Sequence, residues 1–212
     1  MRFDIQASDL ARFNIPPSEV SKSLRRLILI ALLISVAAPV ALPAQQPTTS
    51  TQEAERVAMR EQLRKLLETS GPKKGINISF RQSAKQPFNF TGALREGLNN
   101  AESLEVVVGV TNNNTIGFRI YPHFKGGYIN VEKAKNSLAL MRLLLNLSDR
   151  AFLFWGVDAS GDVFAGYTFT LESGFPEKSA EIVLYSIPNL DKFIGEMRPF
   201  IDGSAAVAAP AK

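Results

Sequence analysis

The stretch Phe152-Leu-Phe-Trp-Gly-Val-Asp-Ala-Ser-Gly-Asp-Val-Phe-Ala-Gly-Tyr167 decides how this chain folds. Its first six residues are apolar on both faces of an extended chain, which is typical of a central strand covered on two sides. The five turn-forming residues 158–162 predict a hairpin. The following residues 163–171 alternate between core-type and surface-type positions and predict the second strand of that hairpin. The stretch therefore predicts antiparallel sheet.

Three further strands are predicted upstream. Residues 76–82, 104–110 and 115–121 each carry apolar side chains at every second position, the period of a half-buried strand. The run Asn112 to Asn114 favours a tight turn between the last two, because Asn tolerates positive φ. Residues 83–102, rich in Asn, Gln and Gly, are predicted to be irregular, with one turn of helix near 93–98.

Two helices flank these strands. Ser50 and Glu53 form a capping box for a helix that ends near Ser70, before Gly71 and Pro72. Asn130 is predicted to cap a second helix over 131–147. The predicted buried face of that second helix consists of Ala134, Leu138, Met141, Leu144 and Leu145.

A third helix is predicted from Pro176 to Ile201, with a kink at Pro188. Residues 181–185 could instead form a strand. The resulting fold class is α+β, with an antiparallel five-stranded sheet, helices packed on it and the order α-βββ-α-ββ-α.

This order, together with the 152–167 stretch and the Gly174-Phe-Pro-Glu177 helix start, resembles the YbjN family. The resemblance implies a fold like that of type III secretion chaperones, which is often dimeric, binds protein segments and has no catalytic machinery. It covers roughly residues 76–201. The chain departs from typical members, which look cytoplasmic and acidic, and its segment 83–102 has no obvious counterpart.

The N-terminal residues indicate export. Lys22, Arg25 and Arg26 precede a twelve-residue apolar run over 27–38, and the small residue Ala44 follows a proline-broken continuation. This is the pattern of a secretory signal. The alternative is an uncleaved anchor, although residues 27–42 are fewer than the roughly 20 that a spanning helix needs. In both cases the positive residues before the apolar run place the rest of the chain outside the cytoplasm.

The predicted organisation has four parts. Residues 1–44 form the export signal or membrane anchor, and 45–75 a linker with an amphipathic helix. Residues 76–203 form the YbjN-like domain, and 204–212 a disordered tail. We expect the protein to be periplasmic or secreted, or anchored in the inner membrane with its domain outside the cytoplasm.

The charge balance argues against a nucleic acid partner. The chain carries 24 basic and 20 acidic residues, of which five and three lie within 1–44. The remaining 19 basic and 17 acidic residues leave a net charge of only +2, without a basic stripe. We therefore expect contact with a membrane only through residues 27–42, if these are not removed.

Enzymatic chemistry has little support in the sequence. Without cysteine and with the single His123, thiolate sites and two-histidine metal sites are excluded. Asp158 and Asp162 lack the spacing of a calcium loop, and Lys125-Gly126-Gly127 lacks that of a phosphate-binding loop. We predict no catalytic residues, no metal and no cofactor. An envelope hydrolase is the least favoured function because no residue spacing supports it, and it stays an alternative because carboxylate pairs cannot be seen in a sequence.

An aromatic, glycine-containing loop is the candidate interaction surface: Tyr121, His123, Phe124 and Tyr128, with Trp155 on a neighbouring strand. Such residues either pin the loop against the sheet or form an interface, since aromatic side chains dominate interface hot spots. The favoured function is an exported protein-binding, chaperone-like or regulatory domain that binds a protein partner or itself as a homodimer. A small-ligand or lipid binder with a pocket between the sheet and the final helix is the alternative.

Overall fold

The computed structural model describes residues 49–204. The export segment predicted over 1–44, the linker up to residue 48 and the tail from residue 205 onward lie outside these residues. Among the helices of the described range, none is both long and apolar enough to span a bilayer.

The helices occupy three segments. These are α1 (Thr49–Ser70), α2 (Ser137–Arg150) and a C-terminal segment made of α3 (Glu177–Ser186), a 3-10 turn (Ile187–Leu190) and α4 (Asp191–Ile201). Pro188 lies in the 3-10 turn and causes the predicted kink, because its ring cannot continue an α-helix. Residues 181–185 are helical, so the alternative strand there is wrong.

The sheet has seven antiparallel strands. They are β1 (Arg81–Gln82), β2 (Asn89–Leu94), β3 (Ser103–Val110), β4 (Thr115–Phe124), β5 (Gly127–Tyr128), β6 (Phe154–Val157) and β7 (Val163–Thr170). The spatial order is β1-β2-β3-β4-β7-β6, and β5 pairs with β4 beside that path. The predicted count of five strands is wrong, because β2 and β5 were not predicted.

The β2 strand occupies part of the segment that was predicted to be irregular, and the helical turn near 93–98 is wrong. Gly92 interrupts the apolar alternation of β2 at a core-facing position. A Cβ at Gly92 would lie 2.6 Å from Cγ2 of Ile78 and 2.9 Å from the carbonyl oxygen of Ser79. Residues 76–80 thus pass across β2 and bury Ile76 and Ile78, and only Arg81 and Gln82 pair as a strand.

The prediction that residues 152–157 form a central strand is also wrong, because β6 lies at the edge and pairs only with β7. On its free edge the Trp155 backbone is bonded by Ser148 of α2, whose hydroxyl accepts from the Trp155 amide at 2.7 Å and shares its proton between the carbonyls of Leu144 at 2.9 Å and Trp155 at 3.2 Å. Covered backbone groups at an edge oppose unwanted strand pairing.

The α2 helix begins later than predicted. Its N-cap is Asn136, whose side chain accepts from the Ala139 amide, whereas Asn130 bonds to the hairpin loop at Ser160 and Asp162. The buried residues of α2 are Leu140, Leu144 and Leu147, so of the predicted face only Leu144 is fully buried. Leu138, Met141 and Leu145 are exposed. The helix is apolar on most sides, and its sequence alone could not select the packed face.

The described helices cover one face of the sheet, here called the inner face. Alternate residues of β3 and β4 point into this core and are at most 1% exposed, as are the side chains that meet them from the C-terminal helices. The core set includes Val106, Val108, Ile116, Phe118, Ile120, Val183, Leu184, Ile187, Ile194 and Met197. Helix α1 joins the same core through Leu63, Leu66 and Leu67. The opposite face, here called the outer face, carries no helix within residues 49–204.

Candidate functional site

A groove of about 640 Å³ runs over the outer face. Its floor includes Gly109 and Gly117, which are cross-strand partners on β3 and β4. A Cβ placed on Gly117 would meet no atom within 4 Å, so open space stands above this residue. Gly117 thus leaves a depression where an ordinary sheet would carry a side chain, whereas the Asn89 side chain lies over Gly109. Polar residues at the sides of the groove include Asn89, Thr115 and Thr168.

Phenylalanines of β6 and β7 form one wall of the groove. Phe154 is the register partner of Gly166, and Phe164 is the partner of Gly156. Each ring lies against the opposite glycine, with Cζ of Phe154 at 2.6 Å and Cζ of Phe164 at 3.0 Å from the Cβ that the glycine lacks. An aromatic ring over a cross-strand glycine covers backbone that would otherwise face water. Phe154 nevertheless stays 43% exposed.

Tyr121 and Arg119 of β4 extend the aromatic wall toward the centre of the sheet. The ring centroids of Tyr121 and Phe164 are 5.8 Å apart. The Arg119 guanidinium carbon lies 4.8 Å from the Phe164 centroid, within cation–π range. The Arg119 side chain is exposed. The wall therefore offers both apolar contact and a positive charge.

A second aromatic group lies at the β5 end of the outer face. Tyr128 packs on His123 with ring centroids 4.3 Å apart and on Tyr121 at 5.7 Å. The Tyr128 hydroxyl donates to Oε2 of Glu105 at 2.8 Å, and His123 Nε2 lies 3.2 Å from the same oxygen. The short turn at Lys125 and Gly126 holds Tyr128 there. The φ values of these two residues, 53° and 81°, fit a type I′ hairpin.

The protonation state of Tyr128 is fixed by this arrangement. Partial burial, and next the hydrogen bond to Glu105, raise the pKa of Tyr128 to about 12. The phenol therefore stays neutral and donates its proton to Glu105 throughout the physiological range. A phenol in this state donates a hydrogen bond and does not act as a general base near neutral pH.

The predicted interaction residues do not all share one face. The structure brings together Tyr121, His123 and Tyr128 on the outer face. It places Phe124 and Trp155 on the inner side, where Phe124 lies 5.6 Å from the Arg198 guanidinium and Trp155 packs edge-on against Phe193. Trp155 is only 5% exposed. Strand alternation separates the two groups, since successive side chains point to opposite faces.

The carboxylates of Asp158 and Asp162 shape the β6–β7 hairpin. Asp158 Oδ1 accepts from the amides of Ser160 and Asp162, and Asp162 Oδ1 accepts from Asn130 Nδ2. Over residues 49–204, no three His, Asp or Glu side chains gather as a metal site.

Sequence reasoning missed Phe154, Phe164 and the glycines of the groove. The signal that could have found them is the pattern Phe-x-Gly, which occurs in both strands of the hairpin as Phe154-Trp155-Gly156 and Phe164-Ala165-Gly166. In an antiparallel pair this spacing places each phenylalanine opposite a glycine. Such a pairing indicates aromatic cover at a sheet edge.

Comparison with known proteins includes a weak structural neighbour. No family model and no curated protein matches the sequence. The structure is similar to the crystal structure of YbjN from E. coli, with a TM-score of 0.43 and 13% identity. The match covers 66% of this chain and 90% of that chain. The mixed α/β fold is thus weakly similar to that of YbjN, and the likeness carries no argument about what this protein binds.

Proposed function

We propose that this protein is an exported, non-enzymatic domain that binds another polypeptide through the outer face of its sheet, as a chaperone-like or regulatory protein does. The observation that carries the proposal is the groove with a glycine floor and an aromatic wall. An antiparallel sheet that merely faces water presents polar side chains on its open face. This sheet instead exposes Phe154 and Tyr128, which are 43% and 41% exposed.

The form of the groove fits an extended polypeptide better than a compact ligand. The groove is open along the sheet, and Thr, Asn and Gln side chains at its sides can bond to a main chain. Aromatic rings supply large contact area at small cost in conformational entropy. The export pattern of residues 22–44 supports a partner outside the cytoplasm.

The ligand or lipid binder has less support, because its proposed pocket is filled. The space between the sheet and the final helical segment holds Ile187, Ile194 and Met197, all 0% exposed. An envelope hydrolase has less support because His123 is held by Glu105 and Tyr128, and because Asp158 and Asp162 bond within and beside their hairpin loop.

Affinity capture from crosslinked cell envelopes tests the proposal. We expect Tyr128→Ala to capture several-fold less of the protein partner than wild type, because it removes an exposed aromatic contact. Tyr185→Ala is the matched control, since Tyr185 is 45% exposed but lies on α3. Mass spectrometry of the captured proteins and thermal melting of the variants are the measurements. Equal capture by wild type and Tyr128→Ala, or loss of capture that only follows a lower melting temperature, would contradict the proposal.

A further inference from the structure

A second concave site adjoins the groove on the outer face, and it carries two arginines. This pocket of about 600 Å³ lies at the β1–β2 edge and reaches across β3 to His123. Arg81 stands on β1 opposite Thr91, and Arg95 follows directly on β2. Both arginines line the pocket, and both are exposed.

Within residues 49–204, neither of these guanidinium groups has a hydrogen-bond acceptor or a carboxylate partner. Other arginines of the same range are engaged: Arg60 and Arg64 pair with Glu61, and Arg150 pairs with Glu196. The two acidic residues of the pocket do not neutralise the arginines. Glu105 accepts from Tyr128, and Glu96 is exposed without an ion pair to either arginine. The pocket therefore offers two free guanidinium groups in one concavity.

The distance between the two arginines determines how far apart the charged groups of a ligand should be. Arg81 is level with Thr91, and Arg95 lies four residues farther along the chain, one residue past the end of β2. Along the strand direction this separation is about 13 Å. Two side chains of an extended segment that point to the same side and lie four residues apart have the same separation. Guanidinium groups match carboxylates in bidentate geometry.

From this juxtaposition we infer that the pocket binds an acidic segment of the partner polypeptide in extended conformation, with carboxylates at positions i and i+4 held by Arg81 and Arg95. The inference rests on the proposed function and adds to it the charge and spacing of the partner segment. The aromatic groove supplies apolar contact beside the pocket, and the arginines select the sequence that is bound. Added salt weakens the selection, because both arginines face solvent.

Fluorescence anisotropy with three labelled peptides of equal length tests the inference. One peptide carries Glu at i and i+4, the second carries Glu at i and i+3, and the third carries Gln at i and i+4. We expect the full chain to bind the first peptide with a Kd about tenfold lower than the others, because i and i+3 point to opposite sides of an extended segment. Arg81→Gln or Arg95→Gln should remove this preference, and the Lys variants should restore only part of it.

Arg142→Gln is the control, since Arg142 is exposed on α2 and away from the outer face. Melting temperatures of all variants show whether each is folded. If all three peptides bind equally and the arginine variants change nothing, the inference is overturned while the proposed function stands. If no peptide binds the wild-type chain, the inference is overturned, and the proposed function is judged by capture of the native partner alone. If the first peptide is selected but a Gly117→Leu variant, whose leucine fills the open space of the groove, binds it as tightly as wild type, the acidic site stands and the groove proposal fails.

Discussion

Replacing Asp191 by alanine is expected to lower the free energy of unfolding by about 3–5 kcal/mol, because several hydrogen bonds to one charged acceptor are lost together. Asp191 is the first residue of α4 and is 6% exposed. Its carboxylate accepts the backbone amides of Asn99, Asn100 and Ala101 at 2.8–2.9 Å. Nδ2 of Asn100 donates to the same carboxylate at 3.1 Å. One side chain thus joins the final helix to the segment between β2 and β3.

The loss is large because alanine leaves the buried Ala101 amide and the partly buried Asn99 and Asn100 donors without their acceptor, and each unsatisfied buried donor costs about 1–3 kcal/mol. Asp191→Asn should lower the free energy of unfolding by nearly as much. One carboxylate oxygen becomes an NH₂ group, which is a donor and faces the amide donors that the oxygen accepted from. Urea unfolding followed by circular dichroism measures the change. Asp149→Ala, at an exposed position on α2, should stay within about 0.5 kcal/mol of wild type. A loss below about 1 kcal/mol for Asp191→Ala would show that this network does not hold the two segments together.

The second large effect concerns binding rather than stability. Gly117→Leu should abolish partner binding while it leaves the free energy of unfolding within about 0.5 kcal/mol of wild type or above it. The leucine enters the open space over the floor of the groove, where no atom lies within 4 Å of the new Cβ. A glycine inside a strand is itself unfavourable by about 0.5–1 kcal/mol, so its replacement carries no intrinsic penalty.

Gly127→Leu is the matched control for this experiment. Gly127 also has no atom within 4 Å of an added Cβ, but it is the register partner of Phe124 and does not line the groove. Capture of the crosslinked partner and urea unfolding, measured on both variants, separate the two effects. Unchanged capture by Gly117→Leu would exclude the groove as the binding surface.

Much of the architecture can be predicted from the sequence, because the patterns that indicate those helices, strands and turns lie within short segments. The β3–β4 hairpin, the β6–β7 hairpin, helix α1 and the kink at Pro188 each depend on alternation, turn residues or proline within a few positions. The YbjN resemblance is matched only by a weak structural likeness, at a TM-score of 0.43. It therefore stays a hypothesis about the family.

The remaining features depend on residues that are distant in sequence. Strand β2 is hard to detect in the sequence because a glycine, Gly92, stands at the core-facing position over which Ile78 passes. Strand β6 can lie at the edge because Phe154 and Phe164 pack on the glycines opposite them in the hairpin and need no further layer to cover them. The candidate site is split for the same kind of reason, since the parity of β4 sends Tyr121 and Phe124 to opposite faces.

Site-specific photocrosslinking in living cells tests most directly whether the outer face binds another polypeptide. A benzoylphenylalanine placed at Thr168, an exposed position at the side of the groove, is compared with one at Leu145, which is 68% exposed on α2. We expect irradiation to join the Thr168 variant covalently to another polypeptide in the envelope fraction, and the Leu145 variant to give no such product. Adducts from Leu145 alone, or from neither position, would contradict the account.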